Sequence, residues 1–97
     1  MIRHIVMFRR KVDVQKNHEL ESALVQRMID LGEQIDFIRH WRVAANEVSR
    51  PICWDYVLES EVDDLPSLEK YLFHPIHQAL IADLKPYFEW VTVDYTK

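Results

Sequence analysis

The sequence predicts an α+β fold of the ferredoxin-like type, in which a four-stranded antiparallel sheet carries helices on one face. Three observations predict this fold. The chain has 97 residues, enough for one domain that spans residues 1–97. Four short segments are rich in apolar residues that alternate as they do in strands, and helical periodicity separates the first from the second and the third from the fourth. The resulting order of elements is β-α-β-β-α-β.

The first strand and the first helix are predicted from a change of period in the N-terminal third. The segment Ile2–Arg10 alternates and carries apolar residues on both faces. A polar connection follows, in which Asp13 is the candidate N-cap. Apolar residues then recur every three or four positions and predict a helix with one buried stripe, and Gly32 is expected to mark fraying near its end. The stripe consists of Leu20, Leu24, Met28, Leu31 and Ile35.

Three further strands are predicted from β-branched and aromatic residues in the segments 37–46, 53–62 and 88–95. All four strands place apolar residues on both faces, but helices of the predicted length cover only one of them. An identical sheet is the simplest cover for the second face, so we expect a symmetric homodimer with two sheets packed face to face. Large rings are expected to form this interface or, alternatively, to stack a planar ligand. They are Trp41, Trp54, Tyr56 and Trp90.

The helical region between the third and fourth strands is predicted to be divided by a proline. Asp64 is the candidate cap of a short helix, which ends before Pro75 because a proline ring cannot continue the helical hydrogen-bond ladder. Pro75 suits the first turn of a second helix, which ends at Pro86. The inward stripe of this second helix is expected to consist of Ile76, Leu80 and Leu84.

The composition excludes several classes of protein. The formal net charge of −4 is opposite in sign to that of a nucleic-acid-binding surface, and the acidic third strand lacks the glycine of an RNA-binding sheet. The single glycine excludes the glycine-rich loops that bind phosphates and dinucleotides. The single cysteine, Cys53, can form neither an internal disulfide nor a structural zinc site. No signal peptide or membrane-spanning segment is predicted, so we expect a cytoplasmic protein that binds no membrane.

The segment YLFHPIHQAL, from Tyr71 to Leu80, combines a tyrosine, two histidines and a proline in an apolar context. Together with IRHIVMFRRK at the N-terminus and VTVDYT near the C-terminus, it resembles the stress-responsive dimeric α/β-barrel domain family over essentially the whole chain. The resemblance implies a homodimer whose sheets enclose a barrel-like interior, with a cavity in each subunit. Some members are similar to cofactor-free polyketide cyclases, in which the tyrosine and histidines of this motif serve an intramolecular aldol condensation.

The resemblance implies site residues at His4, Tyr71, His74 and His77, whereas the further histidine that such members often carry on the third strand is absent. If Pro75 opens a helix, His77 lies in its first turn, where the positive end of the helix dipole favours a neutral imidazole that can act as a general base. Tyr71 and His4 would position or polarise substrate oxygens. His4, Tyr71 and His77 each also have a structural interpretation, as a packed side chain whose polar group is hydrogen-bonded within the fold.

A small apolar ligand pocket is expected beside the catalytic residues, with no cofactor. No metal is expected either, because no carboxylate is suitably spaced from the histidines. Besides the catalytic residues, the ligand pocket is expected to be lined by Phe8, Trp54, Tyr56 and His74, and His74 is also a candidate helix cap. The expected function is a cofactor-free lyase or cyclase that acts on a carbonyl, polyketide-like compound. The alternatives are a non-catalytic small-molecule-binding or stress-associated dimer, a structural dimer whose side chains fill the cavity, and a cofactor-free monooxygenase.

Overall fold

The computed structural model describes residues 1–97 and contains four strands and three helices. The elements are β1 (Ile2–Arg10), α1 (His18–Gln34), β2 (His40–Ala45), β3 (Tyr56–Val62), α2 (Leu65–Leu72), α3 (Pro75–Leu84) and β4 (Phe88–Thr96). The strands form one antiparallel sheet in the order β2-β3-β1-β4, and the helices pack on one of its faces. The predicted ferredoxin-like α+β fold is therefore confirmed. None of the helices is long and apolar enough to cross a membrane.

The hydrophobic core lies between the helices and the sheet face that carries the even-numbered residues of β1. On this face, His4 lies between Ser60 of β3 and Asp94 of β4. The buried stripe of α1 is confirmed at Leu24, Met28, Leu31 and Ile35. Leu20 is wrong as a core residue, because its side chain is 43% exposed, and the neighbouring Glu21 is buried in its place.

The caps of the helices explain where each one begins. Asn17, not Asp13, caps α1, because its side-chain oxygen accepts a hydrogen bond from the backbone N–H of Leu20. Asp64 caps α2 as expected, by accepting from the backbone N–H of Ser67. The cap of α3 is His74, whose Nδ1 accepts from the backbone N–H of Ile76.

The single glycine has a packing role rather than the expected role in fraying. Gly32 lies in the last turn of α1, and a Cβ atom built on it would overlap the indole ring of Trp41. Trp41 is held in that position because its Nε1 donates to the backbone carbonyl of Met28, at 3.0 Å. The absence of a side chain at residue 32 is therefore what allows β2 to pack against α1.

Gly32→Ala is expected to lower the free energy of unfolding by about 1–3 kcal/mol, the usual cost of overpacking. In a helix without such a contact, the same change stabilises by up to about 1 kcal/mol. The control is the same substitution in a Trp41→Ala background, where we expect its sign to reverse. Urea unfolding followed by circular dichroism measures both effects, and a stabilising Gly32→Ala in the unaltered chain would contradict this account.

A buried carboxylate joins α1 to the sheet and to the start of β4. Glu21 accepts hydrogen bonds from the hydroxyls of Tyr56, at 2.6 Å, and Tyr87, at 2.7 Å. Burial raises the pKa of Glu21, but the two hydrogen bonds and the positive charges of Lys16 and Arg10 together leave the pKa below its ordinary value. Tyr56 thus lies on the helix-covered face in a structural role, and its expected place at a dimer interface is wrong.

The face of the sheet away from the helices is uncovered. An apolar strip along its centre is made of Ile5, Met7, Val57, Val91, Val93 and Tyr95, most of them substantially exposed. Of the large rings expected there, only Trp54 is present, stacked on the Arg9 guanidinium at 4.2 Å. Trp41 packs against α1 and Trp90 against Phe8, so both lie on the helix-covered face. In a continuous strand, Trp54 and Tyr56 would lie on the same face of the sheet. They do not, because β3 begins only at Tyr56, after a bend at Asp55.

Candidate functional site

A cavity of about 80 Å³ lies between the sheet and the helices α2 and α3. Two histidines and a tyrosine supply its main polar groups, and most of the remaining lining is apolar. The lining residues are His4, Val6, Phe8, Met28, Leu58, Tyr71, Leu72, His77, Leu80, Ile81, Leu84, Trp90 and Thr92. Thr92 is exposed and Ile81 is half-buried, so the cavity opens between α3 and the edge strand β4.

His77 enters the cavity from the first turn of α3, the position that Pro75 and the His74 cap determine. Its Nδ1 lies 2.8 Å from the backbone carbonyl of Leu72. Because a carbonyl oxygen only accepts, Nδ1 carries the proton and Nε2 is the unprotonated nitrogen. Burial lowers the pKa of His77, and the neighbouring His4 and His74 lower it further. The imidazole is therefore neutral at pH 7, with Nε2 free to accept a proton.

His4 and Asp94 form a hydrogen-bonded pair at the other side of the cavity. They lie directly opposite each other on β1 and β4, and Nδ1 of His4 is bonded to a carboxylate oxygen of Asp94. This contact fixes the ring and leaves Nε2 as the nitrogen available to a ligand. Sequence reasoning missed Asp94 as a site residue. The signal was the alternation in VTVDYT, which places Asp94 on the same face as Thr92 and Trp90.

Tyr71 connects the two histidines. Its ring centroid lies 4.6 Å from that of His77 and 5.5 Å from that of His4, in edge-on geometry. Burial raises the pKa of the Tyr71 hydroxyl, and the negative charge of Asp94 raises it further, so the hydroxyl keeps its proton. The structure thus brings the three predicted catalytic residues together around one cavity, with a proton acceptor on His77 and a hydrogen-bond donor on Tyr71.

The four further residues predicted for the pocket are not all in it. Phe8 lines the cavity. Tyr56 is bound to Glu21, and Trp54 lies on the opposite face of the sheet over Arg9. His74 is the cap of α3 and does not line the cavity. The expected placement of Trp54, Tyr56 and His74 in the cavity is therefore corrected. No group of three or more His, Cys, Asp or Glu side chains is arranged to hold a metal ion.

Ser60 is an unpaired polar group next to this site. It lies beside His4 in the sheet, is fully buried, and its Oγ has no hydrogen-bond partner. A buried hydroxyl without a partner carries a desolvation cost. Ser60→Ala is therefore expected to raise the free energy of unfolding by about 1 kcal/mol. Ser49→Ala, in an exposed loop, is the control that should change nothing in the same denaturant titration, and a destabilised Ser60→Ala protein would contradict the prediction.

The chain is similar to known proteins in sequence and in structure. It is 40% identical over 95 residues to an uncharacterized protein of Streptomyces coelicolor, and the match covers 98% of each chain. A dimeric protein of ferredoxin-like fold from Bacteroides fragilis is 29% identical, with a TM-score of 0.79, over 99% of this chain and 95% of that one. A hydroxynitrile lyase from Passiflora edulis has a TM-score of 0.81 at 15% identity, over 97% of this chain and 90% of the enzyme.

The family follows from the extent of the sequence match. Residues 2–97 match the stress-responsive A/B barrel domain, so the match includes all four strands and all three helices. It also includes every residue of the cavity described above. The chain therefore belongs to the stress-responsive A/B barrel domain family.

Proposed function

We propose that this protein is a cofactor-free lyase or cyclase that transfers protons on a carbonyl compound. The observation that carries the proposal is the hydrogen bond from Nδ1 of His77 to the Leu72 carbonyl, which leaves an unprotonated Nε2 in a cavity shared with Tyr71. A buried, neutral imidazole with a fixed tautomer is a competent general base. The phenol beside it donates a hydrogen bond where negative charge develops on oxygen.

The proposed reaction begins when Nε2 of His77 removes a proton from the carbon next to the substrate carbonyl. The electron pair of the broken C–H bond moves to the carbonyl oxygen, where the Tyr71 hydroxyl stabilises the enolate by a hydrogen bond. His4, held by Asp94, is a second polar group for an oxygen of the substrate. In a cyclisation, the enolate carbon then bonds to a second carbonyl carbon, and the new alkoxide takes the proton from His77.

The hydroxynitrile lyase from Passiflora edulis has the same fold as this chain. That neighbour is a hydroxynitrile lyase whose chain superposes over nearly the whole length, so lyase chemistry is compatible with this architecture. At 15% identity, however, the likeness establishes the fold alone. The chemistry therefore depends on the side chains of this cavity and not on the neighbour.

We propose further that the protein is a homodimer formed through the uncovered sheet face. The exposed strip that includes Met7, Val91 and Val93 is a continuous apolar surface of the kind that marks an interface. The related Bacteroides fragilis protein is dimeric. Two sheets packed face to face would place these strips in contact and form the barrel-like interior. A reducing, cytoplasmic location belongs to the same proposal, because Cys53 has no partner within the chain.

The proposed proton transfer is testable without knowing the natural substrate. Small ketones exchange their α-hydrogens slowly in D₂O, and a protein that removes an α-proton accelerates this exchange. We expect the protein to accelerate α-deuteration of 2-butanone or 2-hexanone, measured by the loss of the α-proton signal in ¹H NMR spectra. The catalytic proposal would be refuted if the protein accelerated the exchange of none of these ketones at concentrations at which they are bound.

A non-catalytic binding protein is the second candidate, and the apolar character of the cavity favours it. Ten of the thirteen lining residues are hydrophobic, which suits an apolar ligand as well as a substrate. Ligand binding without exchange would raise the melting temperature in proportion to occupancy but form no product. A thermal-shift screen run beside the exchange assay therefore distinguishes the two functions.

A further inference from the structure

The cavity has no permanently charged cation with which to bind an anion, and the His4 imidazole is already hydrogen-bonded to the Asp94 carboxylate. Its lining includes no lysine and no arginine. The carboxylate of Asp94 is hydrogen-bonded to His4, and its negative charge helps to raise the pKa of the Tyr71 hydroxyl. His77 is neutral, as its lowered pKa requires. A carboxylate or phosphate placed here would lose its hydration without gaining a counter-charge, at a cost of several kcal/mol.

The size of the cavity restricts the ligand as strongly as its charge does. Ligand-binding pockets commonly measure about 300–1,000 Å³, whereas this cavity measures about 80 Å³. That is also below the roughly 150 Å³ of an engineered apolar cavity that binds benzene. A reacting carbonyl with an alkyl chain of about two or three carbons fills such a space, and the rest of a longer chain lies in the opening. The space is bounded by buried side chains, among them Phe8, Leu80 and Leu84, which cannot move aside without disturbing the core.

We propose that the substrate is a small, uncharged aldehyde or ketone with a short alkyl chain, and that the site excludes anionic and long polyketide-like compounds. This inference rests on the proposed function, because it assigns the substrate class of the same site, and it selects the lyase over the cyclase, since a cyclisation needs two carbonyl groups in one longer chain. The carbonyl lies among His4, Tyr71 and His77, and the alkyl chain lies against the apolar wall toward Leu84. A longer chain extends through the opening beside Ile81 and Thr92.

The test compares ketones that differ in one property. The probes are 2-butanone, 2-hexanone and 2-octanone, which differ in length, and 4-oxopentanoate, which resembles 2-hexanone in size but carries a carboxylate. Titrations of the full chain are followed by the methyl signals of Leu80 and Leu84 in ¹H–¹³C NMR spectra. We expect 2-hexanone to bind at least tenfold more tightly than 4-oxopentanoate, and 2-octanone to bind no more tightly than 2-hexanone.

A variant tests whether the width of the opening sets the length limit. Ile81→Ala widens the half-buried side of the cavity, and is expected to make 2-octanone bind more tightly than 2-hexanone. The control is Ile76→Ala, because Ile76 lies on the same helix but outside the cavity. This substitution is expected to leave the order of the ketone affinities unchanged. The inference is overturned if no ketone binds, if 4-oxopentanoate binds as well as 2-hexanone, or if affinity already rises steadily with chain length in the unaltered protein.

These outcomes can be separated from failure of the proposed function. Binding of the short ketones without α-hydrogen exchange would refute the catalytic proposal and leave the assigned ligand class in place. Exchange of 4-oxopentanoate at the same rate as that of 2-hexanone would support proton transfer but refute the assigned substrate class.

Discussion

His77→Asn is expected to reduce ketone α-hydrogen exchange by about 100-fold or more, the usual range for loss of a general base. Asparagine can still donate from its side-chain amide to the Leu72 carbonyl, which His77 Nδ1 contacts at 2.8 Å. The substitution therefore removes Nε2 while preserving the contact that fixes the side chain. Exchange rates and ligand affinity are both measured by NMR, and we expect affinity to change much less than rate.

The matched control for this prediction is His74→Asn. His74 lies three residues earlier in the same motif, and its role is to accept the Ile76 N–H as the cap of α3. Asparagine is an effective N-cap, so the helix should be retained. We expect wild-type exchange from this variant. Equal losses in the two variants would mean that the motif only maintains the fold.

The dependence on pH provides a second readout of His77. The pKa of the folded protein's imidazole lies below its ordinary value of 6.5, chiefly because of burial. The unprotonated base therefore persists below pH 6.5, and exchange should decline only as the pH falls through the lowered pKa. Between these two values the unfolded chain binds more protons than the folded one, so the free energy of unfolding decreases as the pH falls. His77→Asn should remove the part of this decrease that His77 contributes.

The second large effect is expected at the uncovered sheet face. Val93→Glu is expected to weaken homodimerisation on the order of 100-fold, because a carboxylate from each copy would be buried in the interface without a partner. Val93 is 58% exposed and pairs with Ile5 near the middle of the apolar strip. Sedimentation velocity at micromolar concentration should give twice the 11.7 kDa chain mass for the wild type and the single chain mass for the variant.

The control substitution carries the same charge on the other side of the molecule. Ile29→Glu alters an apolar residue of α1 that is 43% exposed, and it should leave the dimer intact. A wild-type protein that sediments as a single chain would contradict the dimer proposal directly. A dimer that survives Val93→Glu but dissociates with Ile29→Glu would place the interface on the helices instead.

The sequence by itself determined the order of the elements and most of the core. Strand and helix periods are local properties, so Ile2–Arg10 and the stripe from Leu24 to Ile35 could be predicted without knowing their neighbours. The break at Pro75 and the caps at Asp64 and His74 are equally local, since each depends on backbone groups within three residues. The same local placement brought His77 into the first turn of α3.

Only the tertiary structure decided which side chains meet. The His4–Asp94 pair joins residues 90 positions apart, and it depends on the register of β1 against β4, which no local pattern contains. Trp54 and Tyr56 lie on opposite faces of the sheet because the chain bends at Asp55. Side chains two residues apart share a face only where the strand is continuous. The volume and the neutrality of the cavity likewise result from packing between distant elements, and they determine which ligand it admits.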